Sequence, residues 1–188
     1  MMNHEEGITE YPRMMGLDRF SYPLYRKKVV VLYLHAYTTG EYKQYVDAKE
    51  AREVLDQTMR YGFGQMAFFG QQLVGAVLAM PLERHEDFPA RTVPDLNPKA
   101  TLYIAEVMVH AEFRGTGLGT KLLEEMLARP ASFSSAVIRV WDKNRPAVNL
   151  YRKMGFRPIT AIIQTKRCSP DEVFEMRKVY MHRTLESD

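Results

Sequence analysis

Apolar residues recur along this chain in two ways, at helical spacing and in short continuous runs, and together they sketch a sheet interleaved with helices. Residues 1 to about 23 have no clear period. Gly7, Pro12, Gly16 and Pro23 interrupt them, and the segment reads as an N-terminal arm with at most one short strand. Residues 24–38 fit two templates: Val29-Val30-Val31 favours a strand by β-branching, whereas Val30, Leu34 and Tyr37 share a helical face. The helix is the preferred assignment. From Glu50 to Met59, the residues Ala51, Val54, Leu55 and Met59 form a helical stripe. Asp47, three residues before Glu50, has the form of a capping box with Asp in place of Ser or Thr. Met66–Phe69 and Leu73–Met80 are apolar runs joined through Gly70-Gln71-Gln72, which predicts a hairpin. Residues 81–99 hold four prolines and many charges. They read as a long loop, of the kind that is usually functional or mobile.

The second half is more regular. Leu102 to Val109 predicts a strong strand that runs through the turn His110–Gly115 into a helix from about Gly117 to Ala128. Leu118, Leu122, Leu123, Met126 and Leu127 form one apolar face of that helix. Ala136–Trp141 predicts a further strand. A helix from near Pro146 to Met154 begins on a residue suited to a first turn and stops at Gly155. Phe156–Thr165 and Val173–His182 are two last strands around the turn Arg167-Cys168-Ser169-Pro170-Asp171. Strands and helices in this order predict a mixed α/β sheet with helices on both faces.

Length and composition narrow the class. A chain of 188 residues supports one sizeable core, so residues 1–188 are expected to form a single domain. Hydrophobic residues make up 46% and charged ones 26%, as in ordinary soluble proteins. The net charge of +3 is too small to argue for nucleic acid, although an uneven distribution would favour a phosphorylated ligand. A single cysteine, Cys168, excludes an intrachain disulfide and fits a reducing compartment. The start Met1-Met2-Asn3-His4-Glu5-Glu6 has neither the basic nor the apolar part of a signal peptide. The longest apolar run, Val29 to Leu34, falls far short of the roughly 20 residues that cross a bilayer. A soluble cytoplasmic protein with no membrane partner is expected. The histidines His4, His35, His85, His110 and His182 lack metal-ligand spacing, so no metal is expected, and His85-Glu86-Asp87 reads as a solvated charge cluster. Cys168 has no context that would make it a nucleophile.

The most informative stretch is Val107-Met108-Val109-His110-Ala111-Glu112-Phe113-Arg114-Gly115-Thr116-Gly117-Leu118-Gly119-Thr120. A strand that enters a helix through glycines makes an anion site, because the first helical N–H groups lack intrahelical partners and the dipole favours negative charge. Gly115, Gly117 and Gly119 remove the Cβ atoms that would hold a pyrophosphate away from the backbone. The dinucleotide fingerprint Gly-x-Gly-x-x-Gly does not fit, nor does a P-loop, since Lys121 follows Thr120. Arg-x-x-Gly-x-Gly does fit, through Arg114, Gly117 and Gly119.

At these residues the chain resembles the GNAT superfamily of N-acetyltransferases, whose coenzyme A pyrophosphate signature has this form and context. A second stretch, Trp141 to Phe156, resembles that family's next motif, with Asn144, then Tyr151 seven residues on, then Gly155-Phe156. The motifs cover about residues 102–163, the expected cofactor-binding core, and the element order matches from about residue 24 to 183. The resemblance implies the GNAT acyltransferase fold, an α/β architecture whose mixed, mostly antiparallel central sheet of six to seven strands is flanked by helices on both faces. It also implies acetyl-CoA (coenzyme A) as co-substrate, an amine as acceptor, and a possible homodimer.

Acetyl transfer to an amine needs a proton removed from an ammonium of pKa about 10.4, an oxyanion stabilised, and a proton for a thiolate of pKa about 8.5. By resemblance, the strand at Val107-Met108-Val109 splays from its neighbour and binds the pantetheine arm, the N–H of Val109 is the oxyanion donor, and the backbone of Gly115, Thr116, Gly117, Leu118, Gly119 and Thr120 holds the pyrophosphate. Tyr151 matches the position of the general acid, although it would equally pack as a core tyrosine beside Leu150 and Met154. Asn144 matches a cofactor contact and is equally suited to be a helix N-cap. Glu106 is the only carboxylate in its apolar strand and is the candidate base, against a solvent-facing or paired glutamate. Tyr103 is a further candidate for the cleft. On the acceptor side, Tyr37, Glu41, Tyr42 and Tyr45 suit a cationic or aromatic amine, but loop packing is the favoured role. The expected function is transfer of an acetyl group from acetyl-CoA directly to a primary amine of a small molecule or protein. The alternative is a silent acyl-CoA-binding sensor of the same fold.

Overall fold

The computed structural model describes residues 11–128 and 132–185, so the features of residues 1–10 lie outside the described residues. The ambiguous segment is a helix, α1, Tyr22–Thr38. The helical period wins because it buries Tyr22, Val29, Val30 and Tyr33 on one side and turns Val31 outward at 60% exposure. Asp47 caps α2, Ala48–Tyr61, and its Oδ1 accepts the N–H groups of Lys49 at 2.9 Å and Glu50 at 2.8 Å. Only half of the expected box is seen: the Glu50 carboxylate bonds Arg167 at 2.8 Å instead. A fork between Arg26 and Asp56, at 2.5 and 2.7 Å with the Tyr22 hydroxyl donating to the same carboxylate, ties α1 to α2.

Among the described residues the sheet has seven strands. They are β1 (Arg13–Leu17), β2 (Phe63–Phe69), β3 (Gln72–Pro81), β4 (Thr101–Val109), β5 (Ser135–Trp141), β6 (Arg157–Arg167) and β7 (Val173–Thr184), in the order β1-β2-β3-β4-β5-β7-β6. Only β4 and β5 run parallel; every other pair is antiparallel. The short strand of the arm, β1, forms the edge beside β2. Helices α3 (Leu118–Leu127) and α4 (Arg145–Lys153) cover one face, where Leu118, Leu122, Leu123, Met126, Val148 and Tyr151 meet the sheet. Helices α1 and α2 cover the other.

The proline-rich stretch departs from its expected role. Three 3₁₀ turns, Leu82–Arg84, Ala90–Thr92 and Pro98–Ala100, fold it onto the sheet, where Leu82 and Phe88 pack with Met80, Tyr103, Val137 and Tyr180. It is a cover for the part of the face beyond α1 and α2. Glu86 and Asp87 are exposed, as a solvated cluster should be, but His85 is not part of one. Its ring stacks on Tyr103 at 4.1 Å and its Nε2 bonds the Tyr180 hydroxyl at 2.9 Å. Burial, with the Arg139 charge, pulls its pKa down to about 4, so it is neutral at neutral pH. Tyr103 is buried in this same cluster and does not line the cleft.

Candidate active site

Strands β4 and β5 pair only from Thr101–Ile104 against Ser135–Ile138. Beyond these residues β4 stays with β3 through Val109 while β5 stays with β7 through Trp141, so the two strands part and leave a wedge. A bulge sharpens it. Leu78 pairs with Glu106 and the next residue, Ala79, pairs with Ile104, which leaves Ala105 unmatched. One extra residue reverses the side-chain alternation. Leu102 and Ile104 face the α3–α4 core before the bulge; after it Val107 and Val109 face that core, and Met108 faces α1 and α2. The same reversal turns Glu106 toward α1, where the Tyr37 hydroxyl donates to its Oε2 at 2.5 Å. Its Oε1 takes no hydrogen bond from the described residues.

Backbone groups face the wedge as well. The N–H of His110 donates to Val74 on β3 at 2.8 Å. Successive N–H groups of a strand point to opposite edges, so the N–H of Val109 points away from β3, into the opening. Its carbonyl accepts from Arg114 Nε at 3.2 Å. In the turn that follows, Gly115 and Gly117 have φ of 78° and 86°, a region that glycine adopts without strain. Gly117 caps α3 without a side-chain bond, and the first helical N–H with an intrahelical acceptor is that of Lys121, at 3.1 Å from the Gly117 carbonyl. The N–H groups of Leu118, Gly119 and Thr120 are thus left for a ligand. A Cβ on Gly119 would sit 3.5 Å from Leu150 and 3.7 Å from Val109, ordinary contact distances. Nothing in the protein forbids an alanine there, so packing within the chain does not account for the glycine.

A cavity of about 600 Å³ fills the wedge. It gathers Val107, Val109, Arg114, Gly115, Gly119, Asn144 and Tyr151, together with Tyr37, Glu41 and Tyr42. The side chains of Met108 and Leu118 are buried in the cores and the Thr116 hydroxyl bonds Phe113, so any contact from Met108 or Leu118 is through the backbone. Asn144 caps α4 by accepting the N–H of Ala147 at 3.3 Å while also lining the cavity. Arg114 lines the cavity and also closes the end of α1: its guanidinium bonds the Ala36 carbonyl at 3.1 Å and the Thr39 carbonyl and hydroxyl at 3.3 and 3.1 Å. Tyr151 is 6% exposed, and its hydroxyl has no hydrogen-bond partner among the described residues. Burial, assisted by the charge of Glu106, holds that phenol far above its usual range, so it is protonated at neutral pH. Burial also raises Glu106, against the Tyr37 hydrogen bond and the cations Arg139, Lys178 and Lys166.

A second cavity of about 170 Å³ lies on the α1–α2 side and shares Tyr37, Gln44, Ala105, Arg139 and Lys178 with the first. Tyr45 lines it, with the Arg167 guanidinium 4.9 Å from its ring. Tyr37, Glu41, Tyr42 and Tyr45 line the cavities, and the expected packing is present as well, Tyr42 against Trp141 at 6.0 Å and Tyr37 against Tyr33 at 4.6 Å. Arg139, Lys166 and Lys178 are the residues that sequence reasoning missed. The signal was there for Arg139, a lone charge inside the apolar run Ala136–Trp141, as Glu106 is in its own strand.

Known proteins with this arrangement identify the chain's kin. The Acetyltransferase (GNAT) family profile matches residues 27–156. A thialysine N-epsilon-acetyltransferase from Sus scrofa is 27% identical over 132 residues, 64% of this chain and 75% of that protein. An N-acetyltransferase from Staphylococcus aureus Mu50 superposes with a TM-score of 0.66 at 14% identity, covering 94% of this chain and 100% of the other. The putative acetyltransferase yncA of Salmonella typhimurium, solved with its cofactor acetyl-CoA, does so with a TM-score of 0.64 at 16% identity, covering 95% and 96%. No helix among the described residues is long and apolar enough to cross a membrane. The wedge, the glycine turn and the family match lead to one statement: this chain belongs to the GNAT acetyltransferase family and is an N-acetyltransferase.

Proposed function

We propose that this single-domain protein transfers an acetyl group from acetyl-CoA directly to a primary amine in the wedge between β4 and β5. The observation that carries the proposal is the parting of these strands after Ile104 and Ile138, with the Val109 N–H turned into the gap. The pantetheine arm pairs with the free edge of β4 at Val107 and Val109, as an added strand would. The pyrophosphate sits on the N–H groups of Gly115 to Thr120, and Asn144 lines the same channel.

The acceptor approaches from the α1–α2 side, where Glu106 holds one free carboxylate oxygen. Glu106 takes a proton from the ammonium, and its raised pKa makes it a stronger base for that step. The amine nitrogen then bonds to the thioester carbon. The Val109 N–H stabilises the oxyanion, the C–S bond breaks, and the Tyr151 phenol protonates the departing sulfur. The second proton of the amine leaves to solvent. The free hydroxyl of Tyr151 supports this role over a purely structural one.

Thermal melting with acetyl-CoA and a thiol-release assay over an amine panel test the proposal. A raised melting temperature and amine-dependent thiol release are expected. Absence of any stabilisation by acetyl-CoA would overturn it, and stabilisation without turnover on any amine would replace it by an acyl-CoA sensor.

A further inference from the structure

Four neighbouring strands put polar side chains on a sheet face that α1, α2 and the 3₁₀ segment otherwise cover with apolar residues. They are Glu106 on β4, Arg139 on β5, Lys178 on β7, and Gln164 with Lys166 on β6, and all line the smaller cavity. Strand alternation places them: Arg139 shares its face with Val137, Lys178 with Tyr180, and Gln164 and Lys166 with Ile162, and those three apolar residues belong to the cluster under the 3₁₀ segment.

The charges here do not balance. Glu50 and Arg167, at the rim, pair with each other at 2.8 Å. Lys166 still feels Glu50, Glu106 and Asp87, yet none of Arg139, Lys166 and Lys178 forms an ion pair with a carboxylate of the described residues. Arg139 donates to the Tyr180 hydroxyl at 3.4 Å, but grouping half-buried cations without a paired carboxylate is costly. Lys178 registers that cost, since burial with Arg139 and Lys166 beside it pulls its amine down to about 7. Gln164 adds an independent sign: its Oε1 is buried with no hydrogen-bond partner among the described residues, in the same cavity. A polyamine entering here would only add positive charge. An occupant with a negative group would satisfy the lysines and the arginine while its amine reached Glu106.

We infer that the acceptor is an amine carrying its own anionic group, in the simplest form a carboxylate, held by Lys166, Lys178 and Arg139. The inference rests on the amine-acetylation function proposed above and narrows its substrate class from amines in general to aminocarboxylates.

The test compares acceptors that differ only in that group: lysine against cadaverine, and a length series of ω-aminocarboxylates against n-alkylamines. With saturating acetyl-CoA, kcat/KM is expected to be at least about tenfold higher for the carboxylate partner, mostly through KM. Lys166→Gln should shrink that ratio to within about twofold, and Lys166→Arg should restore most of it. Equal or better turnover of alkylamines and polyamines, or an unchanged ratio in Lys166→Gln, overturns the inference while leaving amine acetylation standing. Binding gives a readout that needs no turnover. Trp141, the only tryptophan, lines the adjoining cavity, and its fluorescence should respond saturably to aminocarboxylates in the acetyl-CoA-loaded protein. A response absent in the wild type, or equal in Lys166→Gln, also overturns the inference. No transfer to any amine, despite this response, would overturn only the function.

Discussion

The two sides of the wedge are made of different parts. On the α3–α4 side the groups that face the cavity are mostly backbone: the N–H of Val109 and those at the start of α3, exposed by glycines. On the α1–α2 side they are charged and phenolic side chains from four strands, the two helices and the segment between them, with Glu106 under Tyr37 at the centre. A backbone cradle accepts one kind of ligand with little dependence on side chains, so it suits a co-substrate that never changes. A side-chain cluster can be altered one residue at a time, so it suits the partner that defines the particular enzyme. Arg114 joins the two, bonding the Val109 carbonyl on one side and the end of α1 on the other.

Substitutions can sharpen or break this contrast. The largest effect is expected at Tyr151, which lines the larger cavity: Tyr151→Phe should lower kcat by about 10²–10⁴-fold in the thiol-release assay with little change in folding, since the ring is kept. An unchanged rate across pH would remove the phenol from the mechanism. Glu106→Gln should lower kcat/KM by about 10²-fold. The base works only when ionised, and burial raises its pKa, so wild-type activity should fall as pH drops through that raised value. The Gln variant should lack this limb of the pH profile; if it keeps the limb, the base lies elsewhere.

A smaller effect belongs to the bridge between the sides. Gly40 follows α1 with φ of 87°, and a Cβ there would lie 2.7 Å from Arg114 Nη1. Gly40→Ala should cost about 1–2 kcal/mol in denaturant unfolding, because an L side chain is strained in that conformation as well as crowded. The smallest effect tests the backbone cradle. Gly119→Ala fits the protein at 3.5 Å from Leu150 and improves helix propensity, so the ligand-free protein should melt no lower. Its affinity for acetyl-CoA should nevertheless weaken by about three- to tenfold in calorimetry, as the methyl meets the phosphate. Unchanged affinity would mean that the pyrophosphate does not approach this turn.

The contrast also explains what was legible beforehand. The cradle is written locally: Arg114, Gly117 and Gly119 lie within six residues, and Asn144 and Tyr151 within one helix and its cap. The proline-rich segment misled because loop chemistry was visible and its destination was not. Leu82 and Phe88 are buried, and His85 half-buried, against Tyr103 and Tyr180, which are distant in sequence. For the same reason the motif gives no sign that the Arg114 guanidinium, besides lining the cavity, bonds the end of α1 some 75 residues earlier.

Taken by itself, the sequence determined the elements, the anion-binding turn and the kinship that goes with it, because glycine conformation, helix capping and apolar period act over a few residues. The tertiary structure alone decided which side chains meet. A single unmatched residue, Ala105, sets which face Glu106 occupies. The parting of β4 from β5 depends on competing partners on either side, and the gathering of Arg139, Lys166 and Lys178 depends on the register of three strands. Side chains alternate with a period of two, so register fixes every such meeting, and register is a property of the whole sheet.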